Sequence, residues 1–473
     1  MTLLEPQIPH ANAIIDSLYL NGVAADLSET GCGKTYVATY VAKKMNVPIL
    51  VVCPKGVITA WQRVLASVGI KADTVNKGKA VKFTEASVNY VVNYEQLIRG
   101  VSCNHLLEFD RNKYTSAKIW NDDNGITIKV PKQTLIILDE VHKCKGSTSI
   151  TSSLLIAFKK QGYKVLAMSA TAATMPTEMR AFGYATNLHN GENFNHWLNR
   201  VGETIGTRFG VVFDMKSVKS QQGMRHIHSD LFDNMKVASR LTRLQMKAMF
   251  PDNRVFVQCF DMGTNTDRIN SVYDQMQSEI ARLDEDSKDY SAHVFAEMVK
   301  ARRLAEVLKV PTMVEEIDEL YREGISPVVF VNFNETVVAL RQRLAKYGDE
   351  VGEIVGGQNG KKRQYNIDSF QCDRKRIMIV NLAASNAGIG LHDLNGNYPR
   401  ATIISPSYSA INLVQALGRI HRAEGKTPCI QKVMFAAGTI EERCCERVQS
   451  KLDNLDLLND GDLVGDVNIW NLN

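Results

Sequence analysis

Ser28-Glu29-Thr30-Gly31-Cys32-Gly33-Lys34-Thr35 decides how the rest of the chain is read. Glycines at 31 and 33 let backbone N–H groups approach phosphate oxygens, the Lys34 ammonium can reach β and γ phosphates, and the Thr35 hydroxyl can ligate Mg²⁺. The segment Tyr36 to Met45, with Val37, Tyr40 and Val41 on one face, predicts a helix whose N-terminus points at the anion. Ser28 stands where the standard pattern has its first glycine, which weakens a kinase reading. The loop alone does not name an enzyme.

On either side of the loop, short apolar runs end in polar turns. Ile49 to Cys53 reads as a buried parallel strand stopped by Pro54-Lys55-Gly56, and Tyr90 to Tyr94 reads as another. Thr134 to Leu138 delivers Asp139-Glu140-Val141-His142 at its end, and Lys164 to Met168 delivers Ser169-Ala170-Thr171. Phosphoryl transfer to water needs a carboxylate for Mg²⁺ and a positioned nucleophile, roles that suit Asp139 and Glu140. The Ser169 and Thr171 hydroxyls can bond the acid motif and sense the γ-phosphate. Ahead of the loop, Ala13 to Leu20 has a helical pattern, and Gln7 reads either as an adenine contact or as a surface residue. Trp61, on a helix after Lys55, is either an aromatic support for a nucleic-acid backbone or a core residue.

The 172–254 stretch reads as an irregular, basic connector, and residues 265–323 as helices bridging two lobes. A second α/β series begins at Pro327 to Asn332 and continues through Val351 to Val355, Arg376 to Asn381 and Ala401 to Ser405. The spacing predicts a helix over Ile411 to Ile420 carrying Gln415, with Arg419 and Arg422 three apart on one face. Such a pair reads as surface salt-bridge partners or, in a lobe without its own phosphate loop, as arginine fingers.

A length of 473 residues calls for at least two globular domains, and 44% hydrophobic content suffices for their cores. A net charge of only +5 permits a local basic groove but not a globally basic coat for DNA. The nine cysteines include no Cys-x-x-Cys pair, which speaks against a zinc ribbon or a disulfide framework and for a reducing setting. The start lacks a signal-peptide pattern and no run is long enough to span a bilayer, so the expectation is a soluble, intracellular protein without a membrane partner, in cytoplasm or nucleus or in the host cell of a virus or phage.

In this order the motifs resemble superfamily 2 helicases and translocases of the Asp-Glu-x-His type, from Gln7 to about Leu455. The Snf2-like branch is the best match, carried by Val52-Cys53-Pro54-Lys55 with Trp61 soon after, Asn93-Tyr94-Glu95, His142-Lys143-Cys144-Lys145, Gln415-Ala416-Leu417-Gly418-Arg419-Ile420-His421-Arg422 and Gly438-Thr439-Ile440-Glu441-Glu442. The resemblance implies an α/β fold of two tandem RecA-like lobes, each a mainly parallel sheet flanked by helices. Expected bounds are 1–250 for lobe 1 with the basic connector from about 172, 251–323 for a helical linker, 324–450 for lobe 2 and 451–473 for an acidic tail.

The family's roles map nucleotide binding onto Gln7, Thr30, Gly31, Cys32, Gly33, Lys34, Thr35, Asp139 and Gly390, and Mg²⁺ onto Thr35 and Asp139. Catalysis maps onto Glu140, Lys34, Arg419 and Arg422, coupling onto His142, Ser169, Thr171 and Gln415, and nucleic-acid contact onto Lys55, Trp61, Tyr94, Asn332 and Ser385. The large helical insertions of chromatin remodellers are missing, and the compact length is that of viral, phage or bacterial members. The expected function is an ATP- and Mg²⁺-dependent motor, monomeric, translocating on duplex or branched DNA, with RNA left open. A strand-separating helicase and a nucleotide-switched binding protein are the alternatives.

Overall fold

Apolar runs that end in polar turns become parallel strands in both halves of the chain. The computed structural model describes residues 2–74, 89–99, 106–110, 120, 125–145, 149–170, 172–173, 175–191, 193–207, 210–214, 217–284, 287, 289–385, 389–406 and 410–453. These divide into two units, one up to Met246 and one from Lys247 onward.

In the first unit the elements are α1 (Gln7–Leu20), β1 (Val23–Asp26), α2 (Lys34–Met45), β2 (Ile49–Cys53), α3 (Ile58–Ser67), β3 (Asp73–Thr74), β4 (Tyr90–Asn93), α4 (Tyr94–Arg99), β5 (Leu107–Phe109), β6 (Ile126–Ile128), β7 (Leu135–Asp139), α5 (Ile150–Lys160), β8 (Lys164–Met168), α6 (Arg180–Ala185), α7 (Phe194–Val201), β9 (Thr204–Thr207), β10 (Gly210–Phe213), α8 (Val218–Ser229) and β11 (Ala238–Ser239). Seven of these strands form one sheet in the order β11-β1-β8-β7-β2-β4-β3, with every pairing in it parallel, while β5–β6 and β9–β10 pair antiparallel. β1 and β2 are buried at every position, as parallel strands covered on both faces must be. The Ser149 hydroxyl caps α5 by accepting from the Ser152 N–H, and Lys159 and Lys160 complement its C-terminal carbonyls.

Past residue 172 the chain is regular, which corrects the expectation of an irregular connector. α6, α7, the β9–β10 hairpin and α8 send Phe182, Trp197, Phe213, Met224 and Ile227 into the first unit's core, and β11 then extends the main sheet. Burial of these apolar side chains outweighs the basic residues between them.

The second unit contains β12 (Asn253–Phe260), α9 (Thr266–Ala281), α10 (Tyr290–Leu308), α11 (Val310–Arg322), β13 (Ser326–Val331), α12 (Asn334–Arg343), β14 (Val351–Ile354), α13 (Gly360–Gln371), β15 (Ile377–Asn381), α14 (Leu382–Ser385), β16 (Arg400–Ile404), α15 (Ala410–Leu417), β17 (Cys429–Ala436) and α16 (Glu441–Asp453). Its sheet has the order β12-β17-β16-β13-β15-β14, again all parallel. Helices α9 to α11, read from sequence as a bridge, pack Ile269, Tyr273, Ala305, Met313 and Ile317 into this unit's own core. The architecture is thus two parallel α/β sheets with helices on them, the two RecA-like lobes the motifs implied. Beyond Asp453 the expected acidic tail lies outside the described residues. Among the described residues no helix is long and apolar enough to cross a membrane.

Candidate nucleotide-binding and hydrolytic site

Strands β1, β8 and β7 are neighbours in the first sheet, and their registers put Asp26, Met168 and Asp139 in one row. All run the same way. The three segments that follow them, the 28–35 loop, Ser169 and Glu140, therefore emerge side by side at the carboxyl edge, where open parallel sheets bind ligands.

The loop needs its glycines. Gly31 and Gly33 have φ of 93° and 82°, the left-handed region, and a Cβ on Gly33 would sit 2.5 Å from Gln7 Nε2. Gln7 opens α1 and is buried; its Nε2 donates to the Cys32 carbonyl at 2.9 Å and its Oε1 accepts from the Leu4 N–H at 3.0 Å. It braces the loop through Cys32. Lys34, the first residue of α2, donates from Nζ to the carbonyls of Ser28 at 2.7 Å and Glu29 at 3.1 Å. Its charge therefore sits at the loop, beside the N-terminus of the helix that follows. The Glu29 carboxylate accepts from Arg240 Nη2 at 3.3 Å and from the Arg243 N–H at 2.9 Å, and so ties the loop to the chain after β11.

Beneath the loop, His10 Nε2 lies 3.2 Å from Asp26 Oδ1 and 3.1 Å from Ser28 Oγ, and its Nδ1 lies 2.7 Å from Ser239 Oγ. Burial pushes the Asp26 carboxyl up, but His10, Lys34 and Ser28 more than offset it and hold it below the usual carboxylate range. The Cys32 thiol is pushed up to about 12 by burial, so it is protonated and unreactive at neutral pH.

Asp139 and Glu140 end β7. Burial, and then the neighbouring Glu140 carboxylate, push Asp139 above the usual carboxylate range, while the Trp61 hydrogen bond and Lys34 pull it back. Glu140 adopts φ 57° and ψ 55°, a left-handed conformation costing about 1–3 kcal/mol in a residue with a Cβ. Its Oε2 is 3.2 Å from His142 Nδ1, which is also 3.2 Å from Ser169 Oγ. The histidine thus links the acid motif to the segment after β8, as the serine's position suggested. Thr171 lies outside the described residues.

Two residues expected to touch nucleic acid do not face solvent. Trp61 and Tyr94 are each 1% exposed. The Trp61 indole N–H donates to Asp139 Oδ2 at 2.8 Å, and the Tyr94 hydroxyl donates to the Asp139 carbonyl at 2.9 Å. Of the five such candidates, Lys55 is exposed, on the turn before α3. Partners 78 and 45 residues away leave no local signal, so the sequence reading missed both contacts with Asp139.

Donor chemistry suits a magnesium nucleotide. Among the described residues no group of three or more His, Cys, Asp or Glu side chains could hold a metal unaided. A half-buried carboxylate at Asp139 and a hydroxyl at Thr35 on the first turn of α2 are the sparse protein set that Mg²⁺ takes when phosphate and water complete its shell.

In the second unit α15 stops at Leu417, so Arg419 and Arg422 do not share a helical face as their spacing predicted. Gly418 begins the turn. Arg422 folds back, donating from Nε to the Gly418 carbonyl at 3.2 Å and from Nη2 to the Ile389 carbonyl at 2.8 Å, while the Arg419 carbonyl accepts from the Leu391 N–H at 2.8 Å. Gln415 is buried on α15, and Gly390 lies beside His392 and Arg422. Asn332 turns its amide inward: Nδ2 donates to Glu306 Oε2 at 2.7 Å and to the Pro406 carbonyl at 3.1 Å. Ser385 ends α14.

The chain matches two family models, one described as the res subunit of type III restriction enzymes over residues 10–174 and one as the helicase conserved C-terminal domain over residues 285–424. A relative from Acanthamoeba polyphaga mimivirus, named for an ATP-dependent RNA helicase, is 28% identical over 96% of this chain and 83% of its own length. A Caenorhabditis elegans relative, named as an actin-dependent regulator of chromatin of the SWI/SNF-related subfamily A-like type, is 23% identical over 96% of this chain. These matches, one on each half of the chain, support a superfamily 2 helicase similar to the Snf2-like branch. It is a nucleic-acid-dependent ATPase.

The chain spans 62% of the nematode protein's length, and 15% of a Drosophila ananassae DNA repair and recombination protein, RAD54-like, that is 29% identical over 126 residues. A Sulfolobus solfataricus SWI2/SNF2 ATPase core solved with duplex DNA aligns over 98% of this chain and 94% of its own at 15% identity, with a TM-score of 0.41.

Proposed function

We propose that this ATPase is a motor that translocates along duplex DNA and remodels forked or branched DNA. One observation carries the hydrolytic half: the phosphate loop, Asp139-Glu140 and Ser169 leave three adjacent strand ends, with His142 between Glu140 and Ser169. In this reading Lys34 and the α2 N-terminus bind the phosphates, Glu140 positions the attacking water, and Arg419 and Arg422 stabilise charge developing on the γ-phosphate. Thr35 and Asp139 would hold Mg²⁺, which when bound neutralises charge on the phosphate oxygens. His142, Ser169, Thr171 and Gln415 carry the coupling to movement.

Lys55 and the segments around Asn332 and Ser385 contact the nucleic-acid backbone. Affinity resting on such contacts is weakly sequence-specific and falls steeply with salt. Duplex DNA is favoured by the relatives named for chromatin regulation and DNA repair. The mimivirus relative's name favours a second reading, a strand-separating helicase acting on RNA. Displacement of the third strand from a triplex without strand release from a tailed duplex supports the translocase. Release from the tailed duplex supports the second reading, and an RNA-only response assigns the substrate.

A further inference from the structure

The residue that would face Mg²⁺ is held from two directions. Asp139 is the last residue of β7, and its strand neighbours Leu135 to Leu138 are all buried. On the main chain, the Tyr94 hydroxyl, at the start of α4, donates to the Asp139 carbonyl at 2.9 Å. Burial raises the Tyr94 phenol well above its ordinary range, so it keeps the proton it donates. On the side chain, the Trp61 indole, from α3, donates to Oδ2 at 2.8 Å.

A tryptophan N–H suits that task. It has one donor and no acceptor, does not titrate, and offers no lone pair to a metal ion. With Trp61 1% exposed, the ring has no room to swing away, so the carboxylate plane is fixed by packing of the core rather than by solvent. Carboxylates that ligate metals are themselves held by such outer partners, and losing one typically lowers metal affinity about 10–100-fold.

We infer that Trp61 is a positioning residue for the divalent cation: its indole fixes the Asp139 carboxylate through Oδ2 and presents the remaining oxygen to Mg²⁺. This rests on the reading of Asp139 as the Mg²⁺-facing carboxylate.

The test is binding of a fluorescent ADP analogue across a Mg²⁺ titration, in wild type, Trp61→Phe, Asp139→Asn and the double variant. Phenylalanine keeps most of the ring and removes the donor. Trp61→Phe is expected to raise half-saturating Mg²⁺ about 10–100-fold while leaving binding in excess chelator unchanged. In the Asp139→Asn background it is expected to add nothing. A Trp61→Phe value within twofold of wild type, with Asp139→Asn clearly raised, overturns the inference and leaves the reading of Asp139 standing. An unmoved Asp139→Asn overturns both.

Should Trp61→Phe fail to fold, ¹⁵N-tryptophan labelling of the wild-type chain reads the same bond, since there are four tryptophans. One indole signal is expected to move in Asp139→Asn, and again when Mg²⁺ is added to the ADP-bound wild type. Four unmoved signals overturn the inference.

Discussion

In the first unit β1 runs into α2, and in the second β13 runs into α12; the two turns treat the positive end of the following helix in opposite ways. α2 has Gly33 as its N-cap and no side-chain cap, which leaves that terminus to an anion from outside, with the Lys34 ammonium held beside it by the Ser28 and Glu29 carbonyls. α12 has Phe333 as its N-cap, a residue that cannot cap either, yet a carboxylate is there already. Glu306, from α10, accepts the backbone N–H groups of Asn332 and Phe333 at 3.0 and 3.1 Å and the Thr336 hydroxyl at 2.8 Å. It also accepts from Ser405 Oγ at 2.7 Å, which draws in the end of β16. One helix terminus is open to phosphate and the other is filled by the protein's own anion. The same fold thus serves binding in one unit and internal bracing in the other, so function is argued from the site and not from the sheet.

α10 extends this bracing. Arg302 donates to the Pro406 carbonyl at 2.6 Å, and Lys309, just past the helix, pairs with Glu441, which also accepts from the Tyr273 hydroxyl at 2.7 Å and the Ala436 N–H at 2.9 Å. Arg302, Glu306 and Lys309 are all buried and fall on one face. The ends of β13, β16 and β17 are therefore tied to one charged stripe.

The sharpest test of this contrast is Arg419→Ala. If Arg419 acts on the γ-phosphate as proposed, the change should cost about 10³-fold or more in turnover while nucleotide binding stays near wild type. A binding loss as large as the turnover loss breaks the division of roles. Next comes Glu306→Ala, which strands five donor groups in the interior. It should lower the stability of the second unit by about 3–5 kcal/mol in denaturant unfolding, with the first unit's nucleotide affinity unchanged. A shift within 1 kcal/mol would mean the α12 terminus does not depend on this carboxylate. Tyr273→Phe removes one buried hydrogen bond to a carboxylate and should cost about 1.5–3 kcal/mol in the same assay. Arg303→Ala breaks a pair with Glu335 whose members are 46% and 55% exposed, and should change stability by less than about 0.5 kcal/mol.

Much of the first unit was legible because its motifs sit where apolar strands stop. Leu135 to Leu138 and Val165 to Met168 announce themselves, and Asp139 and Ser169 follow directly. β1 did not, since Val23-Ala24-Ala25-Asp26 is four residues long and half alanine. β12 was hidden for a different reason: it lies at the sheet's edge, where Asn253, Arg254 and Gln258 interrupt the apolar pattern. The placement of Arg419 beyond its helix follows from Gly418, a helix-ending residue the three-residue spacing overrode. Glu306 carried a signal that went unread, a charge spaced i, i+4 and i+7 with Arg302 and Lys309 on a helix whose Ala301 and Ala305 are buried. The hydrogen bonds from Trp61 and Tyr94 exist only once β2, β4 and β7 lie side by side.

ATP hydrolysis by the wild type and Glu140→Gln, each alone and with duplex DNA, single-stranded DNA or RNA, tests the central claim most directly. Duplex DNA is expected to stimulate the wild type strongly, and the variant to lose about 10²–10⁴-fold with nucleotide binding retained. Hydrolysis that no nucleic acid stimulates, or a Glu140→Gln chain that turns over at the wild-type rate, would contradict that claim.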